Sequence, residues 1–165
     1  MSGKNNITTN NVIRLLESRE VQFKAIELPA EKLGALETAQ FLGVDPGLVF
    51  KTIVIQREIL GKPLLAVVPG DKRVDLKSLA AFVNEKKVTI TTEKEAERVT
   101  GLQVGGISAL ALMNRGFETL LDLSAMKLND FYVSGGMRGL LIWMRVQDYV
   151  TISGARFAPL IKIGE

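Results

Sequence analysis

The irregular order of strand and helix signals constrains the fold of this chain more than any other feature. Val49–Gln56 is rich in β-branched residues and predicts a strand, and a turn at Gly61–Pro63 returns the chain through a second strand at Leu64–Val68. Further strands are predicted at 21–28, 87–90, 117–122, 130–134 and 140–145. Some strands follow as hairpins and others are separated by helices. This order excludes a doubly wound sheet and predicts an α+β fold with a mixed, strongly bent sheet.

Capping and stop residues mark the helices between these strands. They are Asn10 or Asn11, Gly43, Asp75, the Thr92–Glu95 capping box with Gly101 as its stop, and Asp148. Residues 1–11 are polar and predict a mobile tail. No linker-like tract rich in Pro, Ser or Gly divides residues 12–165, so a single domain is expected there.

Histidine and cysteine are both absent from the sequence. Their absence excludes Ser-His-Asp triads, Cys-His dyads and thiolate nucleophiles, and it removes the usual zinc ligands. No tight acidic cluster indicates magnesium, and no nucleotide-binding glycine motif occurs, so neither a metal nor a cofactor is predicted. The net charge of +3 and the pI of about 9.2 agree with a phosphate-bearing partner but do not require one.

The sequence carries no signal for a membrane. No apolar run approaches the ~18 residues of a spanning helix, and the N-terminus lacks the basic-then-apolar order of a signal peptide. With no cysteine for disulfides, we expect a cytoplasmic protein.

Three segments taken together resemble the YbaK/EbsC family, which is related to the editing domain of bacterial prolyl-tRNA synthetases. They are VFKTIVI at 49–55, TGLQVGGIS at 100–108 and YVSGGMRGL at 132–140. The resemblance extends from about Val12 to Phe157. It implies a mixed sheet curled like a partial barrel and flanked by helices. It also implies a trans-editing hydrolase that cleaves the ester of mischarged aminoacyl-tRNA, with the aminoacylated 3′ end of tRNA, and in some cases a synthetase, as partner.

The resemblance also implies roles for the first motif. Lys51 shares a strand face with apolar residues by two-residue alternation. A lysine in that setting is explained either by snorkelling to water or, as the resemblance implies, by a catalytic role in holding the tRNA terminus and supporting charge on the ester. Thr52 points to the opposite face and is a weaker candidate for substrate binding.

The second motif is rich in glycine. Gly101 is explained by a helix stop or by the catalytic backbone role that the resemblance implies. Gly105 and Gly106 form either a plain turn or a bare backbone whose amides approach the substrate and stabilise the oxyanion. Ser108 is a candidate for orienting a water molecule or the aminoacyl group.

The third motif supplies Ser134, Gly135, Gly136 and Arg138 as candidate substrate-binding residues. A hairpin turn explains the glycines equally well, whereas a guanidinium at position 138 suits phosphate. Four positions depart from the cysteine-specific members of the family. Leu28 and Leu141 replace a tyrosine and an aspartate, Ala109 replaces a proline, and Met137 replaces a lysine.

The departures favour a more apolar pocket and argue against specificity for cysteine. They also leave two alternatives open, which are a non-catalytic tRNA-binding module and a regulatory module on the same fold. The sequence does not specify the amino acid, the tRNA or the oligomeric state.

Overall fold

A computed structural model describes residues 10–29, 33–59 and 61–164 of the chain. The helices are α1 Asn11–Ser18, α2 Ala35–Leu42, α3 Leu76–Phe82, α4 Glu93–Thr100 and α5 Val146–Ser153. The strands are β1 Phe23–Glu27, β2 Phe50–Arg57, β3 Leu64–Pro69, β4 Val88–Ile90, β5 Glu118–Asp122, β6 Asp130–Ser134, β7 Leu140–Arg145 and β8 Arg156–Ala158. Short 3-10 turns occur at Pro46–Leu48 and Leu123–Lys127.

The strands form two sheets instead of the one sheet that the sequence predicts. One is antiparallel with the order β1-β7-β6, and the other is mixed with the order β4-β2-β3-β5-β8. Within the described residues neither sheet closes into a barrel, so the partly barrel-like curvature is not confirmed. The α+β class and the mixed pairing are confirmed, since β3 pairs antiparallel with β2 and parallel with β5.

Strand β2 separates two hydrophobic clusters because its side chains alternate between its two faces. Phe50 and Val54 join the cluster built on the three-stranded sheet, where the Phe50 ring meets the edge of Phe131 at 5.1 Å between centroids. Ile55 faces the other cluster together with Leu79 of α3. A parallel bridge between Val49 and Tyr132 joins the start of β2 to the three-stranded sheet.

Most local signals act as the sequence predicts. Gly43 and Gly101 end α2 and α4 in the left-handed conformation, which glycine adopts without steric cost. Asp148 is an exception, because α5 begins at Val146 and so places this residue in its first turn instead of at its cap. Its carboxylate there complements the helix dipole. None of the described helices has the length and apolar character needed to cross a membrane.

The first helix is fixed through Asn10. Its side-chain oxygen accepts a hydrogen bond from the Ile13 amide at 2.9 Å, and its Nδ2 donates to the Gly135 carbonyl oxygen at 2.7 Å. Of the predicted tail, residues 1–9 lie outside the described residues, whereas Asn10 and Asn11 belong to the cap and first turn of α1. The cap therefore also ties α1 to the turn between β6 and β7.

Replacing Asn10 with alanine removes both hydrogen bonds. We expect Asn10→Ala to lower the free energy of unfolding by about 2 kcal/mol, measured by urea denaturation. Asn11→Ala is the matched control, because the Asn11 side chain bonds only to Arg14 in an exposed pair at 3.2 Å. Equal losses in the two variants would contradict the role of the cap.

Candidate active site

A cavity of 420 Å³ lies against β2 on the edge that faces away from β3. Its walls include the start of α2, strand β2, the loop after α4 and the turn between β6 and β7, together with residues from the ends of β1 and β3, from the segment between β4 and α4, and from the start of β7. The first, second and third sequence motifs each contribute to it. Residues that are more than 80 positions apart in the chain, such as Lys51 and Arg138, thus line one site.

Lys51 projects into the cavity from the face of β2 that also carries Ile53. It is half-buried, and its Nζ donates a hydrogen bond to the Gly70 carbonyl oxygen at 3.1 Å. Burial lowers the pKa of this ammonium from its ordinary value, and the nearby Asp71 carboxylate partly opposes that shift. One protein oxygen thus orients the ammonium, which keeps two further hydrogens for a substrate.

Gly70 is a site residue that sequence reasoning missed, because Pro69–Asp71 was interpreted only as a turn. Its carbonyl holds Lys51, and its amide donates to the Val49 carbonyl oxygen at 2.7 Å. A Cβ at position 70 would lie 2.1 Å from the Ala35 Cβ. Glycine is therefore required for α2 to close over the cavity. A pattern of residue types gives no signal for such a contact between distant segments.

Several amides in the loop after α4 already have partners. The Gly101 amide donates to the Glu97 carbonyl, the Val104 amide to Glu97 Oε2, and the Gly106 amide to the Gln103 carbonyl. Gly105 also lines the cavity, at a φ of +93°, and its amide has no partner among the described residues. This N–H is therefore a candidate donor to a substrate.

Arg138 holds this loop in place. Its Nε and Nη2 both donate to the Val104 carbonyl oxygen, at 3.1 and 2.9 Å. The guanidinium also lines the cavity, and its remaining N–H groups are available to a substrate. Arg138 therefore positions the Gly105 amide as well as adding positive charge to the site.

The other predicted residues divide into two groups. Thr52 and Ser134 line the cavity, as do Leu28 and Leu141, the two residues that replace polar groups of the family. Gly101, Gly106, Ser108, Gly135 and Gly136 do not line it.

Local structure accounts for the residues outside the cavity. A Cβ on Gly106 would lie 2.6 Å from the backbone nitrogen of Arg138, and one on Gly135 would lie 2.6 Å from the Leu140 side chain. The Ser108 hydroxyl accepts hydrogen bonds from the Leu110 and Ala111 amides. These residues shape the loops that carry Gly105 and Arg138. In the described ranges, no group of three or more acidic side chains is arranged to hold a metal ion.

A methyl group at position 70 would test the contact with α2. We expect Gly70→Ala to lower the free energy of unfolding by about 1–3 kcal/mol, measured by urea denaturation, because α2 must move away from β3. Gly34→Ala is the control, since its Cβ would meet only the movable carboxylate of Glu37. Equal stability of the two variants would show that the packing of α2 does not depend on the absence of a side chain at position 70.

Comparison with known proteins places these features in a family. A family model described as an aminoacyl-tRNA editing domain matches residues 30–152. The chain is 32% identical, over 97% of its length and 98% of the relative's, to EbsC of Enterococcus faecalis, a protein provisionally named a Cys-tRNA(Pro)/Cys-tRNA(Cys) deacylase. It is 27% identical to a proline–tRNA ligase of Geobacter metallireducens over 75% of the chain, which corresponds to 20% of that enzyme.

Solved structures agree with this placement. A crystal structure described as a provisional trans-editing enzyme for prolyl-tRNA synthetase superposes with a TM-score of 0.79 at 26% identity, covering 94% of this chain and 99% of that one. The hypothetical protein APE2540 shares the fold, with a TM-score of 0.84 at 23% identity and coverage of 93% and 100%. The family predicted from the three motifs is thus confirmed, and the chain belongs to the aminoacyl-tRNA editing domain family.

Proposed function

We propose that this chain hydrolyses the ester that joins a wrongly attached amino acid to the 3′ end of a tRNA, and that it does so in the cavity beside β2. Membership of the editing family supports the reaction class. One observation supports the site, namely that a half-buried ammonium and an amide without a partner line the same cavity. Together they supply positive charge and a hydrogen-bond donor for the oxygen that becomes negative during ester cleavage.

The chemistry relies on positioning because the chain has no histidine or cysteine. A water molecule, oriented by a hydrogen bond to the 2′-hydroxyl of the terminal ribose, attacks the ester carbonyl carbon, gives up a proton and forms a tetrahedral intermediate. The Gly105 N–H donates to the resulting oxyanion, a contribution typically worth about 3 kcal/mol. Collapse of the intermediate breaks the bond to the ribose 3′-oxygen, which takes a proton and leaves as the hydroxyl, and the amino acid is released.

Lys51 carries the charge in this scheme. Its ammonium is held against the Gly70 carbonyl, so it is oriented before the substrate arrives, and orientation is a main source of rate in a site without a strong base. Arg138 keeps the loop in register and adds contacts to the terminal phosphate or ribose. Thr52 and Ser134 complete the polar wall of the cavity.

The acyl group that this site accepts has an apolar side chain. Leu28, Leu140 and Leu141 lie along one wall of the cavity, and the positions of Leu28 and Leu141 hold polar groups in the cysteine-specific relatives. A wall of this kind does not compensate a polar side chain for its lost hydration. Apolar pockets separate neighbouring side chains by only ~1–3 kcal/mol per methylene, so the site tolerates several small apolar residues.

The proposed partner is the aminoacylated end of a tRNA. The net charge of +3 favours association with a polyanion. Because relatives occur within proline–tRNA ligases, an aminoacyl-tRNA synthetase is a natural second partner that would deliver the charged tRNA. A cytoplasmic location belongs to the same proposal, because aminoacylation takes place there.

Deacylation of a panel of mischarged tRNAs tests the function. We expect wild type to release small apolar amino acids fastest, and Lys51→Ala to reduce kcat/KM by about 100-fold. Lys77→Ala is the matched control, because it removes an exposed lysine of α3 outside the cavity and leaves the rate unchanged. Salt-dependent tRNA binding without cleavage by wild type would instead support the non-catalytic alternative.

The pH dependence of binding tests the ammonium separately. Because burial lowers the pKa of Lys51, its charge is lost as the pH rises, beginning below the ordinary range for lysine. The affinity of wild type for an amide-linked, non-hydrolysable aminoacyl-adenosine should therefore fall as the pH is raised from about 7 to about 10. Lys51→Arg keeps its charge over this range and should show a flatter profile. Identical profiles for both proteins would rule out titration of Lys51 as the cause.

A further inference from the structure

Strand β2 has an outer edge, which is the edge that faces away from β3, and part of this edge has no strand partner. At one end, Val49 forms a parallel bridge with Tyr132. At the other end, the Thr91 amide donates to the Val54 carbonyl oxygen at 3.1 Å, and pairing with β4 then continues from Ile55. Between these points no described strand pairs with residues 50–53 on this side. The open segment lies in the wall of the cavity.

The register of β2 shows which backbone groups this opening presents. The Val49 carbonyl bonds to Gly70 on the β3 side, whereas the Val54 carbonyl bonds to Thr91 on the outer side. Pairing with β3 runs without interruption from Phe50 to Ile55, and backbone polar groups alternate between the two edges of a strand. The Phe50 carbonyl and both polar groups of Thr52 therefore point outward into the cavity.

We propose that this open edge recognises the base of the terminal adenosine, with the Phe50 carbonyl accepting from the adenine N6 amino group and the Thr52 N–H donating to an adjacent ring nitrogen. An edge that offers an acceptor beside a donor is complementary to adenine, which carries a donor beside an acceptor. Both backbone groups would otherwise remain without protein partners in the wall of a partly apolar cavity, which is costly.

The size of the opening and its flanks favour a single base over a peptide strand. The open segment spans roughly 13 Å at about 3.3 Å per residue, shorter than a typical strand of five to six residues. Apolar side chains also line the cavity beside this opening. Ile90 is 51% exposed and lines the cavity near one end of the opening, and Ile107 lines it from the loop after α4.

The inference rests on the proposed function and explains how the base, the ribose and the acyl group would be arranged in the cavity. With the base held at Thr52, the ribose and its ester would occupy the same cavity as Lys51 and Gly105. The base contact uses main-chain atoms alone and recognises the adenine that every substrate shares. The wall formed by Leu28, Leu140 and Leu141 selects the acyl group.

A proline at position 52 isolates the backbone contact. The Thr52 N–H points away from β3, so Thr52→Pro removes the proposed donor without removing a hydrogen bond between β2 and β3. Thr52→Val is the matched control that removes the hydroxyl and keeps the N–H. We expect Thr52→Pro, with circular dichroism like that of wild type, to bind the amide-linked aminoacyl-adenosine about 10- to 100-fold more weakly than Thr52→Val, which measures the loss of the hydroxyl alone.

Changes to the ligand test the same contact in the wild-type protein and do not depend on folding of a variant. The 1-deaza, 7-deaza and N6,N6-dimethyl forms of the analogue are compared by calorimetry. We expect the dimethyl form and one of the two deaza forms to lose about 10- to 100-fold in affinity. Equal affinity for all forms, or binding of the N6,N6-dimethyl form as tight as that of the parent, would overturn the inference.

These outcomes separate the two proposals. If wild type deacylates mischarged tRNA but is indifferent to the base analogues, the edge contact is wrong and the proposed function stands. If wild type cleaves no mischarged tRNA and binds no analogue, the proposed function fails and this inference fails with it.

Discussion

Strand β2 changes partners along its outer edge, and the site depends on this. It begins beside β6 through Val49 and Tyr132 and ends beside β4 through Val54 and Thr91. The two sheets diverge along this edge and leave a gap in which no described strand pairs with residues 50–53. The cavity forms in this gap. Because β2 is also the partner of the fully buried β3, the groups it presents are held by a strand pair that packs into the core.

Glycine in this protein mainly allows segments to approach closely. Gly70 lets α2 pack over the cavity, and Gly106 lets the loop after α4 pack against the backbone of Met137 and Arg138. Arg138 then fixes that loop through the Val104 carbonyl. Gly105, by contrast, lines the cavity and has an amide without a partner among the described residues. Sequence alone cannot separate such a glycine from the structural ones, because all of them share one residue type.

The elements that the sequence predicts well are those set by local physics. The caps at Asn10, Asp75 and Thr92 and the glycine stops at Gly43 and Gly101 lie where their side chains or positive φ angles require. The division into two sheets could not be predicted, because pairing of β1 with β7 and of β3 with β5 joins distant segments and depends on tertiary packing. Strand β8 has only three residues and gives no periodic signal. In the site, Lys51 was predicted because the family resemblance assigns a role to this lysine on an otherwise apolar strand face, whereas Gly70 lies in an ordinary turn.

The central claim is that the ammonium of Lys51 and the amide of Gly105 act on one ester in one cavity. A crystal structure with an amide-linked aminoacyl-adenosine tests this most directly. The account predicts that the acyl carbonyl oxygen lies within hydrogen-bond distance, about 3 Å, of the Gly105 nitrogen, with the Lys51 Nζ in contact with the ribose, phosphate or acyl group. An analogue bound outside the cavity, or bound with its carbonyl turned away from both groups, would contradict it.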